Sequence, residues 1–437
     1  MRGGLAVHSG QGITRFIHDI TNAQFRSKFE DDLPKLRGAK GIGVISDYDD
    51  QPLIIRSHHG AYAIVTVGRL DNLNDLVASA LKRGAHFSEM SGEEASPTQV
   101  VANLIDQGDS LVDGISAAQD AITGSCSILL LTDDGVYAAR DLLGRTPIAV
   151  GTKPGSHAVT LETCALANTG YQVARYLGPG EVVRINQDGV EVLRPPGDRM
   201  QICSFLWVYY GYPASNYEGI NVEAVRYRCG GFLAERDDVE IDLVAGIPDS
   251  GTGHAIGYAN TAGVPYGRPF VKYTPTWPRS FMPQDQRVRD LVARMKLIPI
   301  REIIEGRRLL FCEDSIVRGT QLKDIITRIF DYGATEVHMR PACPPLIFSC
   351  KFLNFSRSRS EFDLAGRKSI QELEGDKPAG LSVYADPDSE QHRAMVERTQ
   401  ERLGLTTLRY QRLQDLIAAI GLPKERVCTY CWDGTEL

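Results

Sequence analysis

The 437-residue chain has no apolar run long enough to cross a bilayer, and its opening MRGGLAVHSGQG lacks the apolar stretch of a secretory leader. No membrane partner is expected, and the expected compartment is the cytoplasm. Basic excess is missing too. Lys and Arg total 48 against 55 Asp and Glu, a net charge of -7, which argues against a general nucleic-acid binder. A few local cations and backbone N–H groups can still hold a small anion. Short repeats and low-complexity tracts are absent. No cysteine precedes Cys126, and the close pair is Cys428 and Cys431. In a leaderless chain that spacing favours metal or redox chemistry over disulfides.

The apolar fraction of 43% and charged fraction of 24% suit folded domains, and the length allows two or three of them. The best boundary lies near RPPGDRM, residues 194–200, giving domains 1–197 and 198–437. Before it, GAYAIVTVGRL (60–70), CSILLLTDDGVYAARD (126–141) and EVVRINQDGVEVL (181–193) are rich in β-branched residues and broken by DDG and QDG turns. LNDLVASALKRG and PTQVVANLIDQG carry helical spacing, so this part reads as α+β. After the boundary, IDLVAGIPDSGTGHAIGYANTAGV and RRLLFCEDSIVRGTQLKDIITRIFDYGATEVHMRPA read as βαβ units of a parallel α/β sheet. Ligands on such sheets bind at the carboxyl ends of strands. The tail after residue 395 reads as helical up to the cysteine pair.

The most informative stretch is LLFCEDSIVRGTQL (309–322). An apolar strand runs into Glu313 and Asp314. Ser315, Ile316, Val317, Arg318, Gly319 and Thr320 follow, and a helix begins near Leu322. Acids at a strand end can face a metal and a sugar. Gly319 lets backbone N–H groups approach a phosphate, Thr320 offers a hydroxyl, and a helix N-terminus favours an anion. This segment resembles the 5-phosphoribosyl-1-pyrophosphate (PRPP) motif of type I phosphoribosyltransferases. Its DSIVRGT core is similar to that of the glutamine PRPP amidotransferases (amidophosphoribosyltransferases) of purine synthesis. The segment GIPDSGTGHAIGYA (246–259) resembles their pyrophosphate loop, with Asp249, Ser250, Gly251 and Thr252 as donors. The resemblance implies that Ser250, Glu313 and Asp314 hold Mg2+, for which hard oxygen ligands are suited. The family normally has aspartate where this chain has Glu313.

In the family a flexible loop closes over PRPP, because the cationic ribose must be kept from water. Its counterpart here, VKYTPTWPRSFMPQDQRVR (271–289), keeps Lys272, Arg279, Ser280, Phe281 and Pro283. It loses the Asn-Arg-Tyr that follows the lysine and gains Pro275 and Pro278, which stiffen the chain. The bacillus-type relatives also carry a four-iron cluster. By that resemblance Cys203, Cys350, Cys428 and Cys431 are the expected [4Fe–4S] ligands. Zinc is the alternative cofactor, and Cys343 competes for the third place.

Upstream, AARDLLGRTPIAVG (138–151), LETCALANTGY (161–171) and LGPGEVVRI (177–185) resemble the glutaminase half of these enzymes, an N-terminal-nucleophile (Ntn) hydrolase fold. That chemistry needs an N-terminal cysteine, whereas RGGLAV resembles a point already inside the family's first strand–helix unit. Either a short N-terminal segment is expected to be missing or the protein begins late. Other losses are independent of it. Ser46-Asp47-Tyr48 replaces the Arg-Tyr-Ser/Thr that holds glutamine, and Val67-Gly68-Arg69 replaces the Asn-Gly-Asn of the oxyanion hole. Losing one such donor typically costs about 3–4 kcal/mol in the barrier. Residues 1–197 thus read as a degenerate glutaminase. His8, His18, His58 and His59 invite a metal reading, but the His58-His59 pair in a polar loop reads as a solvated turn.

The expected function is amidophosphoribosyltransferase-like: PRPP and ammonia give 5-phosphoribosylamine and pyrophosphate. The alternatives are a non-catalytic PRPP sensor, or transfer to another nitrogen nucleophile. The resemblance also implies a homo-oligomer.

Overall fold

The computed structural model describes residues 1–21, 24–47, 49–88, 90–91, 94–272, 297–353, 363–375 and 380–436. Two compact units meet in sequence between Ile202 and Cys203. Among the described residues, no helix is long and apolar enough to cross a membrane.

The first unit is built on a six-stranded sheet. Its order across the sheet is Gly189–Arg194, Val182–Asn186, Val136–Ala139, Gly124–Leu131, Gly60–Leu70 and Leu53–Ser57, with antiparallel neighbours throughout. The hairpins turn at the DDG and QDG sites expected from the sequence. Side chains alternate across a strand, so each strand serves two cores. On Gly60–Leu70, Tyr62 and Ile64 pack with Val101, Ile105 and Ile115 from the helices Pro97–Ile105 and Leu111–Ala121. Ala63 and Val65 pack on the other face with Ala6 and Ile42 from the strands Arg2–Ser9 and Lys40–Ser46. Both helices begin at a serine whose side chain accepts a backbone N–H, Ser96 from Gln99 and Ser110 from Asp113.

The second unit is centred on a four-stranded parallel sheet: Leu243–Gly246, Arg308–Glu313, Glu336–Pro341, Thr407–Leu408. Strand Arg308–Glu313 is covered on both faces. Leu309, Leu310, Phe311 and Cys312 are all fully buried, as an interior parallel strand requires. The helices Thr252–Ala262 and Thr320–Asp331 follow the first two of these strands, so their N-termini sit at the strands' carboxyl ends. The tail departs from the all-helical expectation. Thr407–Leu408 leaves the helix Glu390–Leu403 through Gly404 and completes the sheet. Two residues are too few to register a strand period against the helices on either side.

Candidate functional site

Strand Arg308–Glu313 delivers two carboxyl groups to the carboxyl edge of the sheet, with Glu313 9% and Asp314 5% exposed. The Asp314 backbone N–H and the Ser250 hydroxyl both donate to Glu313 Oε1, each at 3.1 Å. Ser315 donates to Asp314 Oδ2 at 2.6 Å. Burial first, and then the adjacent Asp314, push the Glu313 carboxyl well above the usual carboxylate range. Two oxyacids and a hydroxyl from neighbouring strand ends thus face one another, 63 residues apart in sequence.

The loop after strand Leu243–Gly246 is held against the neighbouring strand. The Ile247 N–H donates to the Cys312 carbonyl at 3.0 Å, and the Gly251 N–H donates to the Ile247 carbonyl at 2.9 Å. A Cβ on Gly251 would lie 2.2 Å from the Cys312 oxygen, so glycine is what lets the loop lie there. The Pro248–Asp249 peptide is cis. Asp249 and Thr252 close the turn through an N–H to carbonyl bond of 3.2 Å. Lys272 Nζ lies 2.5 Å from Asp249 Oδ2. Arg279, the other expected cation of this region, lies outside the described residues, as do Ser280, Phe281 and Pro283.

The second loop runs from Ser315 to Gly319, which takes φ +75° and caps the helix Thr320–Asp331. Ile316 is buried in the sheet core and anchors the loop there. Val317 accepts the Ala365 N–H at 2.7 Å. Arg318 is exposed, 3.7 Å from Asp363. The helix start therefore presents backbone N–H groups beside the two acids, the arrangement that binds an anion.

Sequence reasoning missed Arg226, on the helix Val222–Glu235. It is buried and donates to the carbonyls of Trp207, Tyr209 and Gly211. Burial lowers its pKa, and the charges of Glu223 and Asp314 oppose that shift. An arginine on the buried side of a helix breaks the apolar stripe by which such helices are found.

The cysteines divide into two groups. A hydrogen bond with Cys350, burial, and the nearby Cys350, Cys203 and Cys428 push the Cys431 thiol well above its usual range. Ser204, beside Cys203, donates to the Cys428 carbonyl at 2.6 Å. The Ile347 and Phe348 N–H groups both donate to the Cys431 carbonyl at 3.1 Å. Cys343 stands elsewhere. Burial, then Asp314, raises its thiol pKa well above the usual range. Among the described residues no three His, Cys, Asp or Glu side chains already form a metal-ligating set. The four thiols are neighbours rather than a closed cage.

In the first unit, Ser46 and Arg69, two of the positions that differ from the glutaminase pattern, are engaged by nearby residues. Asp49 donates its N–H to Ser46 Oγ at 3.0 Å, and its Oδ2 accepts from the Thr98 hydroxyl at 3.0 Å. Thr98 meets Thr66 at 2.7 Å, and Thr66 accepts and donates backbone bonds with Gln51. Arg69 pairs with Asp71 at 3.1 Å. Tyr48 lies outside the described residues.

A family model described as a glutamine amidotransferase domain matches residues 40–168. The amidophosphoribosyltransferase of Bacillus subtilis is 32% identical over 381 residues, covering 84% of this chain and 76% of the relative. That of Archaeoglobus fulgidus is 33% identical, covering 74% and 70%. A solved structure of glutamine PRPP amidotransferase from B. subtilis, complexed with ADP and GMP, superposes with a TM-score of 0.85 at 28% identity, covering 99% of this chain and 90% of that one. The paired acids, the two glycine-bearing loops and these matches agree: an Ntn-type glutamine amidotransferase fold precedes a type I phosphoribosyltransferase fold, and the chain belongs to the amidophosphoribosyltransferase family of phosphoribosyltransferase enzymes.

Proposed function

We propose that the second unit binds Mg-PRPP and transfers its phosphoribosyl group to ammonia, giving 5-phosphoribosylamine and pyrophosphate for purine synthesis. The observation that carries this reading is the meeting of Ser250, Glu313 and Asp314 at the ends of adjacent parallel strands, beside the start of the helix Thr320–Asp331. The donor set is all oxygen, as Mg2+ prefers. Ser250, Glu313 and Asp314 would hold the ion, which supplies charge neutralisation for the leaving pyrophosphate. Asp249 to Thr252 would meet the pyrophosphate. The backbone from Ser315 to Thr320 would cradle the 5-phosphate, with Lys272 and Arg279 at the rim.

The amidotransferase unit has lost glutamine hydrolysis in this reading. Val67 and Arg69 supply no side-chain amide for an oxyanion, and Ser46 is engaged with Asp49 rather than offering a guanidinium to a carboxylate. Ammonia then comes from solution or from a partner. The neighbouring thiols Cys203, Cys350, Cys428 and Cys431 suit a structural [4Fe–4S] cluster, or zinc in its place, and either would tie three distant segments together.

The test is pyrophosphate release from Mg-PRPP with ammonium or glutamine as the nitrogen source. Release with ammonium but not glutamine supports the reading. Release with glutamine refutes the glutaminase claim. PRPP binding without release, at any nucleophile tested, refutes transfer in favour of a PRPP sensor.

A further inference from the structure

The second substrate of this reaction is a nitrogen base, and a phosphate pocket contains nothing obvious to hold it. We infer that Glu223 binds the N–H groups of the incoming ammonia or ammonium at the mouth of the PRPP pocket. The inference rests on the phosphoribosyl-transfer reading above and assigns the place of its nucleophile.

The argument begins with two helices that touch through glycine. A Cβ on Gly253 would sit 2.9 Å from both carboxylate oxygens of Glu223. One on Gly257 would sit 2.1 Å from the Tyr227 carbonyl, and one on Gly230 would sit 1.9 Å from the His254 carbonyl. Residue 223 pairs with 253, and 227 with 257, so Val222–Glu235 and Thr252–Ala262 run in the same direction with their first turns side by side. The first turn of Thr252–Ala262 is the end of the Asp249–Thr252 loop. Glu223 is thereby brought to the ligand edge of the sheet, over the backbone of the residue that follows the loop.

A carboxylate is out of character there, since pyrophosphate is an anion. Among the described residues the Glu223 side chain accepts no hydrogen bond and has no ion pair. Burial raises its pKa, and the Arg226 charge offsets this only in part. The guanidinium of Arg226 spends its Nε and one terminal nitrogen on backbone carbonyls. Yet its charge acts on both Glu223 and Asp314. The group that complements a half-buried acid in this position carries N–H donors, as ammonia does, and an ammonium ion held there must give up a proton before its lone pair is free to attack. In the step itself, the nitrogen lone pair forms the C–N bond at the anomeric carbon. The C–O bond to pyrophosphate breaks, and its electron pair leaves on the pyrophosphate oxygen. The proton then shed by the new C–N ammonium passes to the Glu223 carboxylate. A purely structural role, an acid favouring the N-terminus of its own helix, would affect stability and leave the nucleophile alone.

The experiment is steady-state pyrophosphate release by the full chain, with ammonium and Mg-PRPP varied separately, for wild type, Glu223→Gln and Glu223→Ala, with Glu223→Asp as the conservative variant. Losing a charge-assisted hydrogen bond is expected to raise the KM for ammonium by about tenfold or more in both variants, and less in Glu223→Asp. The affinity for Mg-PRPP by calorimetry is expected to stay within about twofold. An unchanged ammonium KM, or PRPP affinity that falls in step with it, overturns the inference. If Glu223→Ala does not fold, the isosteric glutamine variant decides. Ammonium-dependent release by wild type with unaltered variants sinks the assignment of Glu223 alone. No ammonium-dependent release by wild type sinks the transfer reading and this inference together.

Discussion

Gly251→Ala isolates the geometry of the pyrophosphate loop, because it adds one methyl group and changes no charge. The new Cβ would lie 2.2 Å from the Cys312 carbonyl oxygen and 2.9 Å from the Ile247 nitrogen, against an ordinary contact of 3.4 Å or more. The overlap with Cys312 is therefore 3.4 minus 2.2, about 1.2 Å, and both obstacles are backbone. Cys312 sits in a fully buried interior strand and cannot retreat, so the loop must. A shift of that size stretches the 3.1 Å bond from Ser250 to Glu313 beyond hydrogen-bonding range. Overpacking of this kind costs about 1–3 kcal/mol of stability. The misplaced loop should weaken Mg-PRPP by about tenfold or more, as loss of a hydrogen bond to a charged group does. Urea unfolding measures the first effect and calorimetric titration the second. Gly10→Ala is the control, since the same methyl there meets nothing within 4 Å. Wild-type PRPP affinity in Gly251→Ala would refute the claim that this loop's position makes the site.

Two further outcomes are expected. His254 is fully buried, with Nε2 3.2 Å from the Val208 carbonyl, and burial pulls its pKa down to about 4. Its unfolded pKa is about 6.5, so between those values the unfolded chain binds the extra proton, and stability falls as pH drops from about 6.5 through about 4. The loss from this group amounts to about 3 kcal/mol at the low end, and His254→Gln should flatten that part of a stability–pH curve measured by urea unfolding. Among the cysteines, Cys431→Ser should abolish bound iron and sulfide, or zinc, in anaerobically purified protein, whereas Cys343→Ser should retain it. The reverse pattern would exchange their roles.

What was legible in the sequence was whatever is local. The strand Gly60–Leu70 announces itself by its density of β-branched and apolar residues, because both of its faces serve cores. The loop from Glu313 to Thr320 is contiguous, so its acids, glycine and helix start are read in one line. The four cysteines were grouped by likeness to relatives and not by spacing, since Cys203 and Cys428 are remote in sequence. The helix Val222–Glu235 was not read at all. Its buried positions include Arg226, Cys229 and Gly230 beside Val222, Val225 and Leu233, and that mixture gives no clean apolar stripe. Glycine on both helices at this crossing serves close approach, which a residue-by-residue reading takes for a loop signal. The pairing of Ser250 with Glu313 depends on the parallel register of Leu243–Gly246 with Arg308–Glu313, and only the folded sheet supplies it.

The central claim is most directly tested by calorimetric titration of the purified chain with PRPP in the presence and absence of Mg2+, repeated with Asp314→Asn. Magnesium-dependent binding that weakens by about tenfold or more in the variant is the predicted result. Equal binding by wild type and Asp314→Asn, or no binding by either, would contradict it.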